Sequence, residues 1–198
     1  MECKLFNKWS SAGIEVKDAG LRKYISLPNI IVPRTGGRYI GTKFHKSKMH
    51  LVERLINKIM IPGHKAKKHY KSSFHCTGKA ITAFAIMEEV MTMIETATKK
   101  NPVEVLVRAV ENAAPREEII TIEYGGARYP KSVECAPQRR VDIVLRYFVQ
   151  GSYQKSFNSK KPFKNALAEE ILNAYNLSPS STAIAKKVEL ERQADSSR

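Results

Sequence analysis

The stretch IEYGGARYPKSVECAPQRR, at residues 122–140, predicts a β-hairpin that leads directly into a helix. Gly125 and Gly126 suit a two-residue turn, because glycine adopts positive φ at little steric cost. This turn places Glu123 opposite Arg128, where an ion pair between the two side chains would stabilise the ribbon slightly. A two-stranded ribbon is only marginally stable alone in water, so we expect the hairpin to be supported by the rest of the protein or by a partner.

Around the hairpin, apolar residues recur at spacings of three and four, which is the period of an amphipathic helix. Capping residues, prolines and glycines divide this pattern into segments at about residues 46–60, 79–98, 101–114, 137–158, 162–175 and 178–194. Residues 1–45 lack a sustained period, apart from a short helical pattern near residues 16–26, and they predict a basic extended N-terminal arm. The sequence therefore predicts a mainly α fold, a bundle of five to six helices in residues 46–198 with one protruding β-hairpin at about 119–135.

The formal net charge is +15, and it is concentrated in the first part of the chain. Residues 1–79 hold 17 Lys and Arg against 4 acids, whereas residues 80–198 hold 17 against 15. A surface this cationic repels itself unless a polyanion is present. Nucleic acid is the polyanion that the pattern favours, ahead of an anionic membrane or a charge excess that serves solubility alone.

Other functional classes receive less support from the sequence. The longest apolar run is far shorter than the ~20 residues of a membrane span, and the first residues do not resemble a secretory signal. Three widely spaced cysteines fit a reducing compartment, so we expect a cytoplasmic protein without contact to a membrane. The basic half has too few carboxylates for a metal-dependent nuclease. We therefore expect no enzyme, no cofactor and no small-molecule substrate.

Four potential metal ligands lie within thirteen residues: His64, His69, His75 and Cys76. The spacing that zinc sites usually show within each ligand pair is absent. We prefer the interpretation that these histidines supplement lysine in an RNA-facing loop, and we expect no bound metal.

Basic residues alternate with aromatic ones between about residues 30 and 79, a pattern typical of surfaces that contact phosphates and stack on unpaired bases. The sequence lacks zinc-finger, KH, zipper and RNP motifs, so it favours shape-directed RNA binding over sequence-specific DNA recognition. The candidate phosphate-binding residues in this region are Arg34, Arg38, Lys43, Lys46, Lys48, Arg54, Lys65, Lys67, Lys68, Lys71 and Lys79. A second group follows the hairpin: Arg139, Arg140 and Arg146.

Four stretches resemble the universal small-subunit ribosomal protein seven family, which is protein five of the small subunit in eukaryotes. They are HLVERLINKIM (50–60), TGKAITAFAIMEEVM (77–91), NPVEVLVRAVENAAPREE (101–118) and YGGARYPKSVECAPQRRVDIVLRYF (124–148). The ending KKVELERQADSSR and the long arm are similar to the eukaryotic cytosolic branch. Two positions differ from the family's usual pattern, Ala80 in place of a basic residue and Gln138 in place of leucine.

The resemblance implies a structural ribosomal protein that binds the 3′ major domain of small-subunit rRNA and nucleates the head of the subunit. It implies further partners among the neighbouring head and platform ribosomal proteins, together with exit-site tRNA and mRNA. The hairpin tip, with Gly125, Gly126, Arg128 and Tyr129, is expected to face the tRNA and mRNA. The alternatives are a free-standing RNA chaperone or architectural RNA-binding protein, and a protein-interaction module or enzyme with its site in residues 80–198.

Overall fold

The computed structural model describes residues 3–62, 64–65, 68–69 and 78–198. Within these residues the chain forms seven helices and two antiparallel strand pairs. The elements are α1 (His45–Lys48), α2 (Leu51–Ile59), β1 (His64–Lys65), β2 (Lys68–His69), α3 (Ala80–Thr98), α4 (Pro102–Ala113), β3 (Glu117–Tyr124), β4 (Ala127–Glu134), α5 (Pro137–Ser156), α6 (Phe163–Tyr175) and α7 (Thr182–Asp195). The predicted mainly α fold with one protruding hairpin is confirmed.

The core lies between the long helices, and α6 packs against α3, α4 and α5. Most of its largest fully buried side chains come from the apolar stripes of the helices. Among them are Leu55, Met91, Leu106 and Phe148. The bundle is therefore held together by apolar side chains, while most of the exposed charge lies outside it.

Local sequence sets where two of the helices begin. At α4 the side chain of Asn101 accepts a hydrogen bond of 3.0 Å from the Val103 amide, and Pro102 occupies the first helical position. At α2 the cap is the His50 side chain, whose Nδ1 accepts from the Val52 amide at 3.1 Å. The single helix predicted over 46–60 is thus divided into α1 and α2, because Met49 between them has an extended backbone.

The N-terminal segment is more closely attached to the bundle than an extended arm would be. Leu5, Trp9, Leu21 and Ile25 are buried in the same core as the helices. Residues 18–25 form hydrogen-bonded turns, so the short helix expected near residues 16–26 is not present. Only from about residue 31 onwards is the segment mostly exposed, and the domain division at residue 45 stays a prediction.

The hairpin of β3 and β4 has the register that its turn predicts, with Glu123 opposite Arg128. Gly125 and Gly126 have φ of 58° and 82°, values that favour glycine, and the Glu123–Arg128 ion pair spans 3.8 Å. Helix α7 packs against β3, and at the base of the ribbon the Cys135 amide donates to the Arg116 carbonyl at 2.8 Å. The protein thus supports the base of the ribbon and leaves its outer part in solvent.

Candidate nucleic-acid interface

Most of the candidate phosphate-binding residues that the structure describes are exposed. This holds for Arg34, Arg38, Lys43, Lys48, Lys79, Arg139 and Arg146. Lys46 is half-buried and donates to the Asp142 carboxylate at 3.1 Å. Lys65 and Lys68 lie in the short β1–β2 pair, of which the backbone alone is described, and Lys67 and Lys71 lie outside the described residues.

The candidate zinc ligands fall in the same region. His64 and His69 lie opposite each other in the β1–β2 pair, where only the backbone is described. His75 and Cys76 lie outside the described residues. In the part of the chain whose side chains are described, no group of histidine, cysteine and carboxylate residues is arranged to hold a metal ion.

Two of the candidate arginines are not available to phosphates, which corrects the prediction for them. Arg54 is 4% exposed, and its guanidinium donates to the Tyr24 carbonyl at 2.9 Å and to Asp142 at 3.2 Å. Arg140 is 9% exposed, and it donates to the Pro115 carbonyl and to Asp18, both at 2.9 Å. Both guanidinium groups bind protein acceptors, so they join helices to the N-terminal segment rather than to RNA.

Asp142 on α5 organises the charges next to α2. Burial raises the pKa of this carboxyl, but the charges of Arg54 and Lys46 outweigh burial, so its pKa lies below the ordinary value. Lys58 lies nearby and half-buried, and burial lowers its pKa while Asp142 opposes that effect. Arg146 also lowers the pKa of Lys58, which places this exposed arginine beside the same cluster.

A cleft of about 480 Å³ opens at this cluster, between the N-terminal segment and helix α2. We call it the arm–helix cleft. Its basic lining includes three of the predicted residues and one that was not predicted: Arg34, Lys46, Arg54 and Lys58. Its other lining residues include Thr35, Tyr39, Ile40, Met49, Glu53, Ala80, Phe84 and Asp142.

Arg139 lies at the base of the hairpin, apart from this cleft. Its Nε is 2.7 and 2.8 Å from the two carboxylate oxygens of Glu118 on β3. The hydrogen bond with Glu118 raises the pKa of Arg139 further above its ordinary value. Because the side chain is still more than half exposed, a phosphate can approach Arg139 while Glu118 holds it in place.

The hairpin tip extends into solvent. Arg128 is 76% exposed, and Gly125, Gly126 and Tyr129 are exposed as well. In the observed register, one face of the ribbon is apolar and aromatic and carries Ile120, Ile122, Tyr124 and Tyr129. The opposite face carries Thr121, Glu123 and Arg128 in its outer part, so the ribbon offers two different surfaces to a partner.

Residues 21–198 match the family described as Ribosomal protein S7p/S5e. The chain belongs to this family. It is 48% identical over 198 residues, all of both chains, to the small ribosomal subunit protein uS7 of Nanoarchaeum equitans (strain Kin4-M). It is 43% identical over 195 residues, 98% of this chain and 100% of the relative, to the protein of the same name from Methanothrix thermoacetophila.

Membership in the S7p/S5e family confirms the resemblance to the ribosomal protein seven family that four stretches of the sequence indicated. It also confirms the prediction of a structural protein of the small ribosomal subunit, with RNA binding rather than catalysis as its role. None of the described helices combines the length and the apolar character that crossing a membrane requires.

Sequence reasoning missed several residues of the arm–helix cleft, namely Lys58, Glu53 and Asp142. For Lys58 a signal was present, since it follows Arg54 by four positions and therefore lies on the same side of α2. For Asp142 the sequence offered no local signal, because its partners Lys46 and Arg54 are about ninety residues away in the chain.

Proposed function

We propose that the protein binds the 3′ major domain of small-subunit rRNA and helps to nucleate the head of the subunit. Membership in the S7p/S5e family supports this proposal, and so does the segregation of basic charge into residues 1–79. The observation that carries it is that Arg34, Arg38, Lys43, Lys48 and Lys79 are all exposed. Such a surface gains affinity for RNA through the release of counterions.

The residues that we assign to phosphate contacts are those that remain accessible: Arg34, Arg38, Lys43, Lys46, Lys48, Lys79, Arg139 and Arg146. Lys65, Lys67, Lys68 and Lys71 keep this role as a proposal on the strength of the sequence alone. Arg54 and Arg140 are removed from the set because their guanidinium groups are buried against protein acceptors.

We propose that the hairpin contacts the exit-site tRNA and the mRNA. The surfaces around the hairpin would contact neighbouring head and platform ribosomal proteins. The assignment is supported by a ribbon that the bundle holds at its base and leaves exposed along its outer half. We place the protein in cytosolic ribosomes. The eukaryotic branch suggested by the chain ending gains no support from the two relatives named above, which are archaeal.

Salt dependence of binding tests the phosphate assignment. If about eight phosphates are neutralised, the slope of log K against log salt on a transcript of the 3′ major domain is about −6 to −7. Replacing Lys43, Lys48 and Lys79 together by glutamine should make the slope less negative by about 2 to 3. Lys160→Gln, an exposed lysine in the near-neutral half of the chain, is the matched control and should leave the slope unchanged.

Sedimentation of cell extract distinguishes this role from that of a free RNA chaperone. The protein should travel with small ribosomal subunits, whereas a chaperone would stay largely in the light fractions. A slope near zero on the transcript, or a protein confined to light fractions, would overturn the proposed function.

A further inference from the structure

The arm–helix cleft has the size and lining of a site for one small polar molecule. Its volume of about 480 Å³ lies within the ~300–1,000 Å³ that is usual for ligand pockets. Part of its lining is apolar, from Ile40, Met49 and Phe84, and Tyr39 adds an aromatic ring. A flat, partly apolar ring system fits such a lining better than a bare ion does.

Two polar groups of the cleft lack hydrogen-bond partners among the described residues. Glu53 is 5% exposed, and its Oε1 accepts from the amide and the hydroxyl of Thr35, both at 2.8 Å, while its Oε2 is unpaired. Arg54 uses both terminal nitrogens, but its buried Nε is unpaired. Buried polar groups are normally satisfied, so an unpaired acceptor and an unpaired donor on two residues that line one cleft point to a ligand that offers both.

The charge around the cleft restricts what that ligand is. Arg34 is exposed, and Lys46 and Lys58 are half-exposed, so the rim is cationic. A cationic rim favours an anionic group at the entrance and opposes the insertion of a lysine or arginine side chain from a neighbouring protein. The ligand therefore combines an anionic group with a planar ring that bears both a donor and an acceptor.

We propose that the arm–helix cleft holds one unpaired nucleotide of the bound RNA, with its base inside and its phosphate at the basic rim. The Watson–Crick edge of every nucleobase carries both donors and acceptors, which matches the free Glu53 oxygen and the free Arg54 nitrogen. Tyr39 supplies a ring on which the base stacks. This site deepens the proposed function and rests on it, since it assigns a base-binding role to a surface otherwise assigned to phosphates.

The test compares RNAs that differ by one base. The probes are short RNA duplexes with a single-nucleotide bulge, either intact or abasic, so that the phosphates are the same in both. The full chain should bind the intact bulge about ten-fold more tightly than the abasic one, as expected for the stacking of one base. Ala80→Leu, which places a larger apolar side chain in the lining without changing charge, should bind both RNAs at the abasic level.

Ala85→Leu is the matched control, an exposed alanine on the same helix that does not line the cleft, and it should keep the ten-fold preference. Glu53→Gln retains an acceptor for Thr35 but replaces the free oxygen by an amide, and it should reduce the preference while leaving the salt slope nearly unchanged. Equal binding of intact and abasic bulges by the unmodified chain would overturn the nucleotide site and leave the proposed function standing. The absence of binding to any RNA would overturn both.

Discussion

Acidification should destabilise the protein through His50, which is fully buried at the beginning of α2. The Val52 amide donates to its Nδ1, so the neutral ring carries its proton on Nε2 and directs it at the Ser11 hydroxyl, 3.3 Å away. A doubly protonated ring would lose the acceptor for Val52 and would place a charge in the core. Burial accordingly lowers the pKa of His50 from its ordinary 6.5 to about 4.

The difference between the pKa of His50 in the unfolded and the folded chain sets the sign and the size of the change in stability. Below pH 6.5 the unfolded chain binds a proton at His50 that the folded chain does not bind until about pH 4. The free energy of unfolding therefore falls as the pH drops from 6.5 to 4, by about 3 kcal/mol at 1.36 kcal/mol for each pH unit. Asp18 and Asp142 also have lowered pKa values, but their contribution is lost below their ordinary pKa of 3.8, outside this window.

Urea unfolding, followed by circular dichroism at pH 7.0, 6.0, 5.0 and 4.5, measures this loss. The control is His50→Asn, since asparagine is a favoured helix cap and does not titrate in this range. Asparagine fills less of the core than histidine, so this variant should be less stable at every pH. Its free energy of unfolding should nevertheless depend less on pH between 6.5 and 4 than that of the unmodified chain. Parallel curves for the two proteins would refute the assignment of a buried neutral imidazole to His50.

Three further substitutions test the packing and the caps by the same unfolding assay at pH 7. Phe148→Ala should lower the free energy of unfolding by about 3–5 kcal/mol because the ring is fully buried, and a loss below 1 kcal/mol would contradict its place in the core. Asn101→Ala should cost about 1–2 kcal/mol through the lost cap on Val103 and the lost donor to the Ser10 carbonyl, whereas Asn101→Asp should recover only the cap, because a carboxylate cannot donate to that carbonyl. Glu170→Ala should cost about 3 kcal/mol, since the buried carboxylate accepts from the Ser181 hydroxyl, the Ala183 amide and Lys155. Glu169→Ala, at an exposed position, is the control, and an equally small loss of stability in both variants would refute the role of Glu170.

Features that are determined by residues adjacent in the sequence were predictable. The hairpin register follows from two adjacent glycines, and the beginning of α4 follows from an asparagine and a proline in succession. Exposure of the arm charges was also predictable, because residues 34–48 contain few apolar residues that could bury them. In each case, the information lies within a few positions of the feature that it determines.

The errors at Arg54 and Arg140 share one physical cause, the return of the N-terminal segment over the helices. An amphipathic helix normally exposes the residues beside its apolar stripe, and on this basis Arg54 was assigned to the surface, while Arg140 was assigned there together with its neighbour Arg139. Arg54 is covered because its Nη1 meets the Tyr24 carbonyl, and Arg140 is covered partly by Asp18. These contacts join residues that are 30 and 122 positions apart, a separation that helical periodicity does not report.

The same return of the chain explains why the arm–helix cleft exists. Once Thr35 binds one oxygen of Glu53, the segment is held across the outer side of α2, and the gap left beneath it becomes a site with polar groups at its base. Buried arginines thus determine where the segment lies, and exposed ones such as Arg34 remain free at the rim. Basic residues of this chain therefore differ in their tasks, and substitutions should separate them: a loss at Arg140 acts on folding, whereas a loss at Arg34 acts on the affinity for RNA.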